Sequence, residues 1–305
     1  MISEQLTSAV ADATTNGVNY LHNFIVNTDG EWYSDQRAGT EYINTVSPPF
    51  VAAAGMLALE VCSGDQVNSI VNLSRKFIVT QIVYPGIWRW PNFVYDLDST
   101  AFCSLAVGLN GHPWIFFGKN IRHILSCRND DDLFVTWTIP NGPFVKFNYA
   151  DPVVNANVIA YLGDRAETRP AQQWIQCLIT KDRELEALVW YESPLDLYYS
   201  ICRTLRVSAP AFNRLKTPLA NRIVNSNPDN PLRAAQALSS LHMLGHVSDE
   251  VFIQQCVNSL LNWQQPNGSW PSCELTRTPC GLHTFWSETM VCAYCIEALT
   301  RIAKP

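Results

Sequence analysis

The segment Tyr95-Asp96-Leu97-Asp98-Ser99-Thr100-Ala101 carries two carboxylates two residues apart, with tryptophans upstream at Trp88 and Trp90. Asp and Ser cap helix N-termini routinely, so one of these side chains is expected to do that here. A cap needs one acid, and this segment offers two. Paired carboxyl groups in a poorly solvated site do not both ionise easily, so one keeps its proton at neutral pH. That is the state required of a general acid that attacks something as weakly basic as an alkene. Asp98 is the candidate proton donor, with Asp96 and Ser99 as its neighbours.

Such an acid needs elements that hold it away from water. Six segments share a polar or Pro-containing start followed by an apolar helix rich in small residues; they open at Ser47, Asp98, Asp151, Ser193, Asn230 and Trp286. In several, Ser, Asp or Asn precedes Pro, which is an N-cap followed by proline at the first helical position. Small residues along these helices let neighbours pack closely as an inner ring. Between them, residues 4–26, 64–82, 113–127, 166–181, 211–225 and 248–265 read as more amphipathic helices suited to an outer ring. From Gln66 to Gln81, for example, Val67, Ile70, Val71, Phe77 and Ile78 alternate with Asn68, Asn72, Arg75 and Lys76. Residues Phe134 to Tyr149 alternate around Asn141-Gly142 and predict a short hairpin. With no Gly/Ser linker or charge block to divide it, the chain reads as all-α: one (α/α)6 toroid, or barrel, over residues 1–305 with short hairpin insertions. A solenoid with free ends would stack its helix pairs in the same way.

Asp96-Leu97-Asp98-Ser99-Thr100-Ala101 resembles the Asp-x-Asp-Asp-Thr-Ala motif of class II terpene cyclases, the squalene–hopene cyclase type. In that family the middle acid protonates a terminal alkene or epoxide, and its neighbours hold it protonated and oriented. The resemblance maps the donor onto Asp98 and the first acid onto Asp96. Ser99 stands where the family has a third acid, a departure that spares the donor and still leaves a hydroxyl able to hydrogen-bond it. Gln265-Pro266-Asn267-Gly268-Ser269-Trp270 is similar to the family's Gln-x-x-x-Gly-x-Trp element, and Asp29-Gly30-Glu31-Trp32 is a partial copy. These elements link helix ends in the family. A chain of 305 residues looks like the monodomain, merosterolic acid synthase type of meroterpenoid cyclase. That implies proton-initiated cyclisation of a polyprenyl chain on a geranylgeranylated dihydroxybenzoic acid to a fused polycycle. The reaction is an isomerisation, with no cofactor and no metal.

Cyclisation also needs a dry, shaped hollow, because carbocations are quenched by water and aromatic faces stabilise passing positive charge. Aromatics gather near the inner-helix starts, and any one of them could equally serve ordinary core packing. The candidate substrate-binding residues are Phe50, Trp88, Trp90, Trp190, Tyr191, Tyr198, Phe285 and Trp286. Asn155, early in the third inner helix amid apolar neighbours, is expected to face the same hollow and to need a partner there. His283 lies near an inner-helix start, where a surface or capping role is expected. The run Asp130-Asp131-Asp132 reads as a solvated loop rather than a magnesium site.

Composition bounds the partners. Charged residues are 16% of the chain, below the usual proportion of about a quarter. The net charge is −6, without a basic stripe, which argues against nucleic acid. No run approaches the ~18 apolar residues of a transmembrane segment, and Met1 to Gln5 lack the features of a signal peptide. With ten scattered cysteines, including Cys103, Cys177, Cys202 and Cys295 beside apolar residues at helical spacing, free buried thiols and a cytoplasmic location are expected. Cys273, Cys280 and His283 match no familiar zinc spacing. The expected partner is a small isoprenoid molecule; the oligomeric state is open. Two other readings share the scaffold. One is a protein-prenyltransferase-like subunit, which would need an Asp-x-Cys zinc element on an inner helix. The other is a non-catalytic lipid-binding toroid, which has no use for a protonated acid in an apolar hollow. Phosphate-loop, dinucleotide and Gly-x-Ser-x-Gly signatures are absent.

Overall fold

The computed structural model describes residues 4–303 apart from 92, 94, 109–113, 139–147, 206–209, 247–248 and 280. The chain runs α1 (Glu4–Asn27), β1 (Ser34–Ala38), β2 (Glu41–Val46), α2 (Pro49–Leu59), α3 (Asp65–Thr80), α4 (Leu97–Val107), α5 (Trp114–Ser126), α6 (Pro152–Leu162) and α7 (Arg169–Thr180). It continues through α8 (Glu184–Ala187), α9 (Pro194–Thr204), α10 (Pro210–Asn213), α11 (Lys216–Val224), α12 (Pro231–Met243), α13 (Glu250–Trp263), β3 (Cys273–Arg277), β4 (Thr284–Ser287) and α14 (Glu288–Ala303).

Burial separates the helices into two rings. Every residue of α2 is buried, and α4, α6, α9, α12 and α14 are buried along nearly their whole length. A helix that hides all its faces must have neighbours on all sides. α3, α7 and α13 bury one stripe only, such as Val67, Ile70, Ser74, Phe77 and Ile78 on α3. The inner helices pack in sequence, α2 on α4, α4 on α6, α6 on α9, α9 on α12 and α12 on α14. α14 then packs on α2, which closes the ring and removes the free ends of a solenoid.

Side-chain caps fix where the inner helices begin. Asp96, Asp151, Ser193 and Asn230 accept backbone N–H groups at the starts of α4, α6, α9 and α12, and proline occupies the first turn of the last three. α2 departs from the expected pattern: Pro48, not Ser47, is its N-cap, without a side-chain bond. α14 begins at Glu288 rather than Trp286, because residues 284–287 are a strand.

That strand belongs to a four-stranded antiparallel sheet ordered β2-β1-β4-β3, with Asp35 opposite Trp286 and Gln36 opposite Phe285. The sheet joins the chain before α2 to the chain before α14, so it bridges the ring closure at the end where these helices start. The hairpin expected over Phe134 to Tyr149 lies mostly outside the described residues; at its base, Val135 pairs with Ala150 and Thr136 N donates to Tyr149 O at 3.3 Å.

Gly-x-Trp turns tie the rings together. Gly30 and Gly268 have φ of +94° and +90°, and a Cβ on either would run into backbone, at Leu73 O and Asn16 O respectively. Trp32 and Trp270 are fully buried. Trp32 Nε1 donates to Ser74 Oγ on α3 at 2.7 Å, and Trp270 Nε1 to Leu260 O on α13 at 2.8 Å. Among the described residues no helix is long and apolar enough to cross a membrane.

Candidate active site

Asp98 occupies the first turn of α4 and is 9% exposed. Asn157 Nδ2, from the middle of α6, donates to its Oδ1 at 2.7 Å, and the Tyr191 hydroxyl donates to its Oδ2. Burial pushes the Asp98 carboxyl above its ordinary range, while these two donors and the charge of Arg203 pull it back down. Tyr191 is pushed far upward by burial and by Asp98, so its proton stays on.

The orientation of Asn157 is set from below. Arg203 Nη2, near the end of α9, donates to Asn157 Oδ1 at 3.1 Å. A guanidinium has no acceptor, so the carboxamide must turn its oxygen to Arg203 and its amino group to Asp98. Arg203 itself lies between rings, its Cζ 4.3 Å from the Phe102 centroid and 4.9 Å from that of Tyr199.

Asp96 has a different position from its neighbour. It is the N-cap of α4: Oδ1 accepts Ser99 N at 2.6 Å and Oδ2 accepts Trp90 N at 3.1 Å. Burial lifts it to about 7, with Asp98 adding to the rise and the backbone donors opposing it. Ser99 is thus bound through its backbone to Asp96, and the partners of Asp98 are Asn157 and Tyr191. Asp151 repeats the device on α6. Its Oδ1 caps the helix, while Oδ2 accepts Val189 N at 2.8 Å and Trp190 N at 3.0 Å, anchoring the segment that carries Tyr191. Burial lifts Asp151 to about 6.

Above Asp98 opens a hollow with about 500 Å³ of empty space, its mouth included. Asp96, Asp98 and Ser99 line it together with Phe50, Trp90, Trp190, Tyr191 and Phe285 from the sequence expectations. Sequence reasoning missed Trp137, Thr136, Thr276 and Thr278 as further wall residues and gave Phe93 no priority. The rings meet edge to face or tilted: Trp90 and Phe285 centroids are 4.9 Å apart, and Trp137 and Trp190 centroids 5.0 Å apart. Phe50 and Tyr191 continue downward into a second, smaller hollow lined by Asn157, Ser200 and Arg203.

Four expected wall residues stand elsewhere. Trp88 Nε1 donates to Ile78 O at 2.8 Å, across the same ten-residue interval that separates Trp270 from Leu260, and Gly86 precedes it with φ of +102°. Trp88 is therefore a third Gly-x-Trp tie, legible in Gly86-Ile87-Trp88. Asn155 exchanges hydrogen bonds with the Phe134 backbone, at 3.0 and 2.8 Å, on another side of α6 from Asn157. Tyr198 points to the outer groove and donates to Glu184 Oε1 at 2.6 Å, whereas Tyr199 turns inward. Trp286 is on the face of β4 opposite Phe285, beneath the Arg37 guanidinium at 4.4 Å. Cys177 likewise falls on the exposed side of α7, unlike buried Cys103, Cys202 and Cys295. Asp130 to Asp132 lie in an exposed loop where Asp132 pairs with Arg128 at 2.9 Å. No cluster of three His, Cys, Asp or Glu residues able to hold a metal occurs among the described residues; Cys280, one of three residues weighed as a zinc set, lies outside them.

No family model matches this sequence, and no curated protein does. Solved structures match over the whole chain. A protein from Actinoplanes superposes with a TM-score of 0.77 at 16% identity, over 96% of this chain and 99% of that one. The type II terpene cyclase MstE from Scytonema, without ligand, gives 0.76 at 16% identity over 97% and 98%. An Asp-to-Asn variant of MstE in complex with its substrate, geranylgeranyl dihydroxybenzoate, gives 0.74 at 15% identity over 99% of both chains. These likenesses show that the chain shares the fold of the type II terpene cyclases, a helical toroid.

Proposed function

We propose that the protein is a class II terpene cyclase in which Asp98 starts the reaction. The reading is carried by one observation: a buried carboxyl held above its ordinary range by desolvation faces an aromatic hollow. Asn157 offers only an N–H to Oδ1, whereas the Tyr191 hydroxyl at Oδ2 can also accept, so in the neutral acid Oδ1 is the carbonyl oxygen and the proton sits on Oδ2. Asp98 transfers that proton to the distal alkene of a folded prenyl chain, forming a C–H bond and a tertiary cation. Ring closures pass the charge along the chain, and loss of a proton ends the sequence, so the product has the formula of the substrate. Asn157 and Tyr191 remain as donors to the carboxylate left behind, and the aromatic walls exclude water and face the moving charge.

The likeness to MstE supports a prenylated aromatic acid, such as a geranylgeranylated dihydroxybenzoic acid, as substrate class. As the side chains stand, the centres of water-sized groups can reach only about 60 Å³ of the hollow. A chain of that length therefore has to displace wall side chains on entry. Residues from Phe50 to Phe285 line one hollow, so we treat the six helix pairs as one domain.

Incubation with prenylated dihydroxybenzoic acids in deuterated water tests the reading. The expected product is an isomer carrying one non-exchangeable deuterium, and Asp98→Asn abolishes it. Retention of turnover by Asp98→Asn removes Asp98 as the acid. Recovery of bound but chemically unchanged isoprenoid from the native protein makes it a lipid-binding toroid instead.

A further inference from the structure

The lower hollow holds a cation without a counter-ion. Arg203 is 8% exposed, and its Nη2 donates to Asn157 and lies 3.5 Å from Ser200 Oγ. Its Nε and Nη1 are buried and make no hydrogen bond, and no carboxylate among the described residues lies within ion-pair distance of it. Buried donors are almost always satisfied, and a buried guanidinium with no counter-ion and two unpaired nitrogens is costly. The adjoining space is lined by Arg203, Ser200, Gln236, Met290 and Tyr294, and about 20 Å³ of it is open to the centres of water-sized groups. That is room for one compact group.

The acids in and around this space are already engaged. Asp196, on α9 itself, is taken by Arg233 and Gln236 of α12. Glu297 of α14 pairs with Arg301 at 2.8 Å and accepts the Tyr199 hydroxyl at 2.5 Å. Tyr191, Tyr199 and Tyr294 all hold their protons more tightly than a free tyrosine. From α4 comes Asp98, with Asp96 behind it, and α6 contributes neutral Asn157. Arg203 is thus left without a carboxylate of its own, and the acid it reaches, through Asn157, is Asp98.

We propose that Arg203 forms an anion site: a single halide-sized monovalent anion enters the lower hollow against Nε and Nη1 while Asp98 is protonated, and leaves when Asp98 ionises. The protonated state of Asp98 is taken from the proposed function; the site itself rests on Arg203. Binding and protonation are then linked, so the bound anion favours the acid form of Asp98.

Bromide serves as the probe, read by anomalous scattering from crystals grown in bromide and by halide NMR linewidth in solution, neither of which needs turnover. Expected are a bromide peak beside Arg203 and linewidth broadening that Arg203→Gln abolishes. Native affinity falls about tenfold for each pH unit above the ionisation of Asp98. Asp98→Asn, which is permanently neutral, keeps the anion at alkaline pH, and it serves if Arg203→Gln fails to fold. Absence of the peak, equal broadening in a folded Arg203→Gln, or pH-dependent loss from Asp98→Asn overturns the site. A normal halide site in a protein that cyclises nothing leaves the anion site standing and removes the cyclase reading; cyclisation without a halide site does the reverse.

Discussion

Arg203 Nη2 donates to the Asn157 carboxamide oxygen at 3.1 Å, and that contact determines which end of Asn157 meets Asp98. An arginine on one inner helix thereby sets the hydrogen bond received by an acid on another. Without it, the amide could turn its oxygen to Asp98 and accept the proton that the acid has to give away.

Asn157→Ala removes a donor to the charged form of Asp98. Since that donor lowers the Asp98 pKa, the variant raises it. Activity needs the protonated acid and falls as pH rises through this pKa, so the alkaline limb of the rate profile moves up. The weaker acid also lowers kcat, by roughly 10- to 100-fold for a lost charge-assisted bond of about 1.5–3 kcal/mol. A kcat–pH profile checks both, and a limb that stays put removes Asn157 from the acid's tuning.

Asp96 gives stability a pH dependence. Its pKa is about 7 in the folded chain against an ordinary 3.8, so the folded state binds its proton more tightly than the unfolded state does. The resulting stabilisation is complete below about 3.8 and is lost as pH rises to about 7. Denaturant unfolding across that window is expected to show falling stability, and Asp96→Asn, which retains a cap, to show a shallower fall. Asp96→Ala also loses the bonds to Ser99 and Trp90, at a further cost of about 1–2 kcal/mol.

The two neighbouring tryptophans separate by role. Trp88→Phe loses the bond to Ile78 O and lowers stability by about 1–3 kcal/mol while leaving the product unchanged. Trp90→Ala opens the upper hollow, costs about 3–5 kcal/mol and alters product distribution or ligand affinity. Thermal melts with product analysis check the pair; an altered product from Trp88→Phe contradicts this division.

Gly268→Ala and Gly30→Ala place a Cβ against backbone at positive φ, whereas the Cβ of Gly39→Ala, at φ of +59°, meets open space. Gly39→Ala carries only the conformational cost of about 1–2 kcal/mol. The other two cost more, because backbone has to shift. Equal denaturation midpoints for the three variants contradict the tie described for the Gly-x-Trp turns.

Much of the scaffold is written along the chain. Polar caps before proline mark Asp151, Ser193 and Asn230 as helix starts, and the run from Gln66 to Gln81 shows its single apolar stripe, because caps and periodicity are local. The acid segment is local too: Asp96 and Asp98 lie two residues apart in any fold, and one of them had to be the cap. Gly86-Ile87-Trp88 repeats Gly30-Glu31-Trp32, so the structural role of Trp88 was legible as well. Which side chain faces the hollow was not. One residue along a helix turns the side chain by ~100°, and one along a strand by ~180°. Asn157 therefore meets Asp98 where Asn155 does not, Tyr199 turns inward where Tyr198 turns out, and Phe285 lines the hollow where Trp286 lies outside it. Ring closure and the register of the closing sheet set those rotations. They also bring Arg203 beneath an acid 105 positions away, through contacts that no local pattern encodes.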